Sequence, residues 1–418
     1  MSAISYDPTR SEVRQNPYPY YRELRQKAPV AHIASTDFYA VASHRHVLEV
    51  FRTPELFSSR AMRWVRTGGR APSSPLEGTN MTPEQAAEFA AALPFSPLEL
   101  VMARSVIYAE PAEHHGLRAI VNRGFTPRKI AELEPRVREI ARECLVKART
   151  KGELELMSEF AIPLPVTVIA EMLGIDVERQ ADFKRWSDAI IQTSTGGPAT
   201  GQRAPEMLEL FQYLAQVIEA RRRAPREDLI STLIRAEQGE ALKPAEVVMF
   251  TLLLLVAGNE TTTNLLGNAL LALTENPEQL ARVQTDRSLI PVLVEEALRW
   301  DSPAQALFRE ATRDTELGGV AIPAGSVVVP LVGSANRDEE AFPGGERFEV
   351  RRDRPAHIAF GFGLHYCLGA SLARLEARVA LEELLELRGI ARKSDVEPER
   401  LDSFMVRGPR SLPLTFEG

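Results

Sequence analysis

The stretch from 244 to 275, PAEVVMFTLLLLVAGNETTTNLLGNALLALTE, constrains this chain more than any other. Apolar residues recur three and four apart, Pro244 stands where a first helical turn tolerates proline, and Asn276-Pro277 marks a stop. As one helix it is roughly 45–50 Å long at ~1.5 Å per residue. Its middle, Gly258-Asn259-Glu260-Thr261-Thr262-Thr263, sets a carboxylate and three hydroxyls into the apolar run. A second reading ends one helix at Gly258 and starts another with Asn259 as its cap. In either case a buried carboxylate is costly unless it is partnered or titrates, so the polar knot points toward function.

The longest uninterrupted apolar run, 247–258, is shorter than the ~20 residues that span a bilayer. The first fifteen residues, MSAISYDPTRSEVRQ, are polar and show no signal or anchor segment, so a cytoplasmic protein with no membrane anchor is expected. With 418 residues, 44% of them hydrophobic and 26% charged, the chain can bury a large core as one large domain or two closely packed lobes. A net charge of −7 without a long block of like charge gives no nucleic-acid footprint. There are two cysteines, Cys144 and Cys367. A disulfide between them would be unusual in a reducing compartment, and two thiols so far apart do not make a zinc site by themselves. Cys144, in the amphipathic pattern RVREIARECLVKART, reads as a small buried hydrophobe.

Helical periodicity covers 127–150, 176–196, 204–223, 244–275, 277–285, 288–300 and 367–387. Strand patterns cluster at 32–41 and at 314–332, where Gly318-Gly319 and Pro323-Ala324-Gly325 supply turns. The expected fold class is mainly α with a small β portion. Two segments, 61–107 and 194–205, read as long loops of the kind that form lids, the first holding a short helical pattern, TPEQAAEFAAALP.

Cys367 stands in FGFGLHYCLGA, directly ahead of the amphipathic pattern SLARLEARVALEELLEL. A cysteine at or just before a helix N-terminus meets free N–H groups and the positive end of the dipole, which favour a thiolate. Gly361, Gly363 and Gly369 strip side chains from around the sulfur, so the backbone can turn tightly and a flat group can approach. FGFGLHYCLG resembles the haem-binding signature of the cytochrome P450 family. The resemblance implies that family's fold, a single helical domain over 1–418 around a buried haem b. Cys367 would be the axial ligand of the iron, Phe360 would pack near the sulfur, His365 would reach a propionate, and Gly369 would border the haem.

Further segments agree with the family in order. Glu296-x-x-Arg299 lies among apolar neighbours, where the family buries such a pair with a second arginine, matched here by Arg347 in Gly-Glu-Arg-Phe. That trio is expected to be structural, holding the cysteine loop. Glu110-Pro-Ala-Glu-His114-His115-Gly-Leu-Arg118 resembles the opening of the propionate-binding helix, although Glu110, Ala112, His115 and Gly116 depart from the usual pattern. His114 and Arg118, four apart, share a face suited to a carboxylate, with His115 a competitor for the histidine's role. Arg309, after the Glu-x-x-Arg helix, matches another propionate arginine. The resemblance spans roughly residue 15 to the end.

Ala257-Gly-Asn-Glu260-Thr261 matches the family's oxygen-side pattern and favours one long helix with a local distortion. The resemblance implies that Ala257 lies against the haem, that Thr261 is the hydrogen-bonding group for oxygen, and that Glu260 relays protons; Thr262 and Thr263 are expected to be structural. It implies a monomeric monooxygenase that inserts one atom of O2 into an apolar small molecule by hydroxylation or epoxidation, with electrons from a ferredoxin and its reductase. Arg123, Lys129 and Arg352 are candidates for a basic docking face. Substrate-lining candidates are Phe250 and Leu254, with Leu253 on the same helix face, and Ala304, Leu307, Phe404 and Met405, which suit a fatty acid, terpenoid, steroid or polyketide such as those of secondary metabolism. A peroxide-driven hydroxylase, which usually lacks the Glu260-Thr261 type of pair, and a non-catalytic haem-thiolate sensor are the alternatives.

Overall fold

A computed structural model describes residues 4–70, 82–92, 99, 102–175, 179, 182, 185–186, 204–239, 241–352, 356–394 and 397–417. These fall into two compact units: Met1–Ser58, Ile130–Pro165 and Thr261–Gly418 in the first, Ser59–Lys129 and Val166–Glu260 in the second. Most of the helix expected at 176–196, the loop expected at 194–205 except its last two residues, and parts of the 61–107 segment lie outside the described residues.

The first unit holds every named strand. β1 (Val30–Ile33), β2 (Phe38–Val41), β3 (Phe57–Ser58), β5 (Arg309–Ala311) and β8 (Val327–Pro330) form a five-stranded sheet in the order β1-β2-β8-β5-β3. Only the β2/β8 pair in it is parallel. β4 (Glu153–Glu155), β10 (Pro413–Glu417) and β9 (Arg388–Arg392) make a three-stranded sheet in the order β4-β10-β9. β6 (Thr315–Leu317) and β7 (Val320–Ile322) form the hairpin expected from Gly318-Gly319, whose φ angles of 59° and 79° suit the tight turn. Against the large sheet, Val47, Val50 and Phe51 of the helix His44–Arg52 pack with Val30, Val41, Phe57, Val328 and Ile358. Ile358 opens the cysteine loop, so that loop rests on the sheet core.

Helix ends follow local chemistry. The expected 127–150 helix is two, Pro127–Glu132 and Glu134–Lys151, because Pro135 begins the second and Leu133 turns between them. Pro291 likewise starts Ile290–Trp300 after a short 3-10 turn, Arg287–Leu289. The helix after the cysteine runs Ala370–Leu384, shorter than 367–387.

In the second unit the helical pattern within 61–107 forms Pro83–Ala92, where Thr82 Oγ1 accepts from Gln85 N and Gln85 Oε1 accepts from Thr82 N. Among the described residues, Pro111–Asn122, Ala204–Arg223 and Leu229–Gln238 are its other complete α-helices, and Ser59–Thr67 is a 3-10 helix. The central helix is continuous from Pro244 to Glu275, 32 residues, its first part in the second unit and its last in the first. Glu246, in its first turn, accepts from Lys243 N at 2.8 Å and closes that end. Among the described residues it is the one helix long and apolar enough to cross a membrane, and 56% of its most apolar window is buried within the protein.

Candidate haem-thiolate site

The Glu-x-x-Arg pair is the anchor of the cysteine side. Glu296 and Arg299 are 5% and 3% exposed, and the guanidinium meets the carboxylate in bidentate fashion, Nε to Oε2 and Nη2 to Oε1, each at 2.8 Å. Burial makes such a pair depend on filling its remaining sites. Glu349 N donates to Glu296 Oε1 at 2.9 Å, while Arg299 donates to the carbonyls of Asn336, Gly345 and Arg347 at 2.8, 2.9 and 3.0 Å.

The third member of this group differs from the expectation. Arg347 is exposed and contributes its carbonyl; the second guanidinium belongs to Arg352. Arg352 Nε lies 3.3 Å from Glu296 Oε1, and its Nη atoms donate to the carbonyls of Pro343, Gly344 and Arg347. Its side chain is 9% exposed, which removes it from the candidate docking cations; Arg123 and Lys129 are exposed. Both corrections have one cause: the chain between 343 and 349 turns its carbonyls inward and its Arg347 side chain outward.

From this anchor a short path leads to the thiol. Asn336, held through its carbonyl by Arg299, accepts from Ile358 N through Oδ1 at 2.8 Å. Gly361 N donates to Ile358 O and Cys367 N donates to Phe360 O, both at 2.9 Å. Gly361 and Gly363 adopt φ of 72° and 69°, a region costly for side-chain-bearing residues. Cys367 is half-buried, and Gly369 caps the helix Ala370–Leu384, leaving the sulfur two residues ahead of the cap. A Cβ on Gly369 would meet no atom within 4 Å. Arg309, at the start of β5, is buried, donates to Phe308 O at 2.8 Å and lies over the Phe51 ring. His365 ends a 3-10 turn of the same loop, Gly363–His365.

The central helix carries an open stripe. Ala257 is exposed and Leu253, Glu260 and Thr261 are half-buried, while Thr262 and Thr263 are buried. A Cβ added at Gly258 would touch nothing within 4 Å. Thr263 Oγ1 donates to Ala161 O at 2.9 Å. Of the three residues expected on the face with Ala257 and Thr261, Phe250 is fully buried and Leu254 nearly so, while Leu253 is half-buried and continues the open stripe. In the first unit Ala304 bridges Val406 and Met405 O accepts from Gln305 N, which brings the 304–307 segment beside Phe404 and Met405. Phe404 packs on Phe308 and Phe38.

In the second unit His114 is buried and His115 exposed, its Nδ1 2.9 Å from Pro111 O, so His114 is the inward imidazole. Burial, then the Arg118 and His115 charges, push His114 down to about 4. A neutral imidazole one turn from an arginine is an environment that an anion would relieve.

Sequence reasoning missed two side chains here. Asn336 stood in a stretch that matched the family, but its bridging role needs the fold. Glu376, on the helix after the cysteine, is buried against Thr262 of the central helix; burial raises its carboxyl to about 8, with the Thr262 hydrogen bond opposing. Its Leu-Glu-Ala setting reads as an ordinary amphipathic helix.

The donor set fits a haem. The first unit offers one thiol for the iron, Arg309 and His365 for carboxylates, and bare backbone at Gly369; the second, taken by itself, holds His114 and Arg118 one turn apart. Comparison with known proteins agrees. The sequence profile described as Cytochrome P450 matches residues 199–412. The vitamin D(3) 25-hydroxylase of Pseudonocardia autotrophica is 37% identical over 96% of this chain and 94% of its own length. The structure of cytochrome P450 CYP109Q5 from Chondromyces apiculatus superposes with a TM-score of 0.83 at 43% identity, covering 98% of each chain. CYP109E1 from Bacillus megaterium, solved in complex with testosterone, gives 0.83 at 34% identity over 98% of this chain and 100% of its own. An anchored cysteine loop, a polar knot in a continuous central helix and full-length similarity converge: the chain belongs to the cytochrome P450 family and is a monooxygenase.

Proposed function

We propose that this protein binds haem b through Cys367 and inserts one atom of O2 into an apolar organic substrate, by hydroxylation or epoxidation, with electrons from a ferredoxin and its reductase. The observation that carries the proposal is the Cys367 loop, a thiol on a glycine-shaped turn pinned through Asn336 to a buried ion pair. The bound haem would supply O2 activation, with the thiolate's electron donation favouring O–O cleavage. As the family resemblance implies, His114, Arg118, Arg309 and His365 would hold its carboxylates, and Phe360 would shield the sulfur.

The chain's own work is proton management and exclusion of water. Thr261 presents a hydroxyl on the open stripe beside Ala257, and Glu260 next to it exchanges protons with solvent, a general acid–base role. Ala304, Leu307, Phe404 and Met405 give the substrate an apolar wall. A steroid-sized substrate is favoured within the apolar class, since relatives include a vitamin D(3) hydroxylase and a protein solved with testosterone. The protein acts in the cytoplasm as a monomer.

Two measurements test this. Reduced protein under carbon monoxide is expected to show the red-shifted band of a thiolate ligand, and its absence from intact protein sinks the proposal. Thr261→Ala is expected to raise hydrogen peroxide release several-fold at the expense of product, with substrate-induced spin shift retained. Unchanged coupling would leave Thr261 without the assigned role.

A further inference from the structure

Behind the cysteine loop stands a polar cluster that the anchor does not use. Glu295, beside Glu296 in sequence but facing the other way, accepts two hydrogen bonds from Arg374, Nε to Oε1 at 2.7 Å and Nη2 to Oε2 at 2.9 Å. His357 Nδ1 accepts from Ala359 N at 3.2 Å, so the ring proton sits on Nε2, which donates to Glu295 Oε2 at 3.1 Å. Arg374 also donates to the Tyr366 hydroxyl at 3.2 Å. Burial works to raise the Glu295 carboxyl, but the His357 and Arg374 hydrogen bonds outweigh it and hold it down at about 2.

The cluster surrounds one ring. The Arg374 guanidinium carbon lies 4.5 Å from the centroid of Phe360, with His357 and Tyr366 on other sides at 6.1 and 6.3 Å. Phe360 in turn receives the backbone hydrogen bond of Cys367. Arginine is a long, half-exposed side chain here, and a cation–π contact of ~1 kcal/mol would not by itself fix it in one geometry. The bidentate carboxylate does.

We propose that Glu295 is a positioning residue that holds the Arg374 guanidinium against Phe360 behind Cys367, and that this fixed cation sets the reduction potential of the haem iron. It rests on Cys367 being the ligand. A cation held near the thiolate favours the reduced form, which carries one more negative charge; in a partly buried setting that influence is little screened.

The test is the midpoint potential measured by spectroelectrochemistry in haem-loaded protein, with the carbon-monoxide band recorded alongside. Arg374→Gln is expected to lower the potential. Glu295→Gln, which keeps an acceptor for His357 but loses the bidentate grip, is expected to lower it as well, and to add nothing in the Arg374→Gln background. An upward shift in Glu295→Gln would mean that its own charge acts directly, and an equal shift in both backgrounds would mean general loosening; either overturns the proposal, as does no shift. Should Glu295→Gln fail to hold haem, Arg374→Lys keeps the charge without the fork geometry; a potential equal to wild type overturns the proposal and a lowered one supports it. A missing thiolate band in the unsubstituted protein refutes the Cys367 assignment instead, so the two failures are distinct.

Discussion

Arg352→Ala is expected to cost about 3 kcal/mol of stability and to reduce haem retention, whereas Arg347→Ala is expected to stay within about 0.5 kcal/mol. Removing one partner from a buried ion pair costs ~3–5 kcal/mol, and the lower end applies because Glu296 keeps its bidentate bond to Arg299. Truncating Arg352 also strips donors from the carbonyls of Pro343, Gly344 and Arg347. The Arg347 side chain donates nothing to this group, and its backbone N–H and carbonyl survive the substitution. Urea unfolding, with the haem absorbance followed in parallel, measures both. Equal losses for the two variants would restore Arg347 to the role its sequence position suggested.

Glu376→Gln is expected to flatten the pH dependence of stability. The Glu376 carboxyl is raised to about 8 in the folded protein, while in the unfolded chain it ionises near the ordinary 4.5. Below 4.5 both states hold the proton and the group is neutral in effect. As pH rises from there the unfolded state is favoured by ionisation, so stability falls until about pH 8 and then levels off. At ~1.4 kcal/mol per pKa unit, the loss at pH 7 is on the order of 3 kcal/mol. Glutamine cannot ionise, and whatever its amide costs in that buried place is the same at every pH. The melting temperature of Glu376→Gln relative to the unsubstituted protein should therefore climb between pH 5 and pH 8. Parallel curves would mean that Glu376 is ionised in the folded state.

Legibility from sequence followed the range of the interactions. The central helix was bounded to the residue because Pro244 and Asn276-Pro277 act locally, and the β6/β7 hairpin because Gly318-Gly319 specify a turn. β5 escaped notice because three residues show no periodicity, and its partners β3 and β8 are distant in the chain. Helices such as Leu229–Gln238 and Pro163–Leu173 were missed where apolar faces and buried surroundings blur the pattern.

The same division runs through the site. Short motifs that resemble those of the family singled out Cys367, the Glu296-x-x-Arg299 pair and the Glu260-Thr261 knot, because each motif lies within its own turn or helix. Which arginine completes the pair and which of two adjacent histidines faces inward were decided by tertiary structure. So was Glu376, whose carboxyl burial raises. In each case two or more chemically equal side chains competed, and local sequence assigns them equal standing. Burial separates them, since a charge or an imidazole loses its water only when the rest of the chain has closed around it.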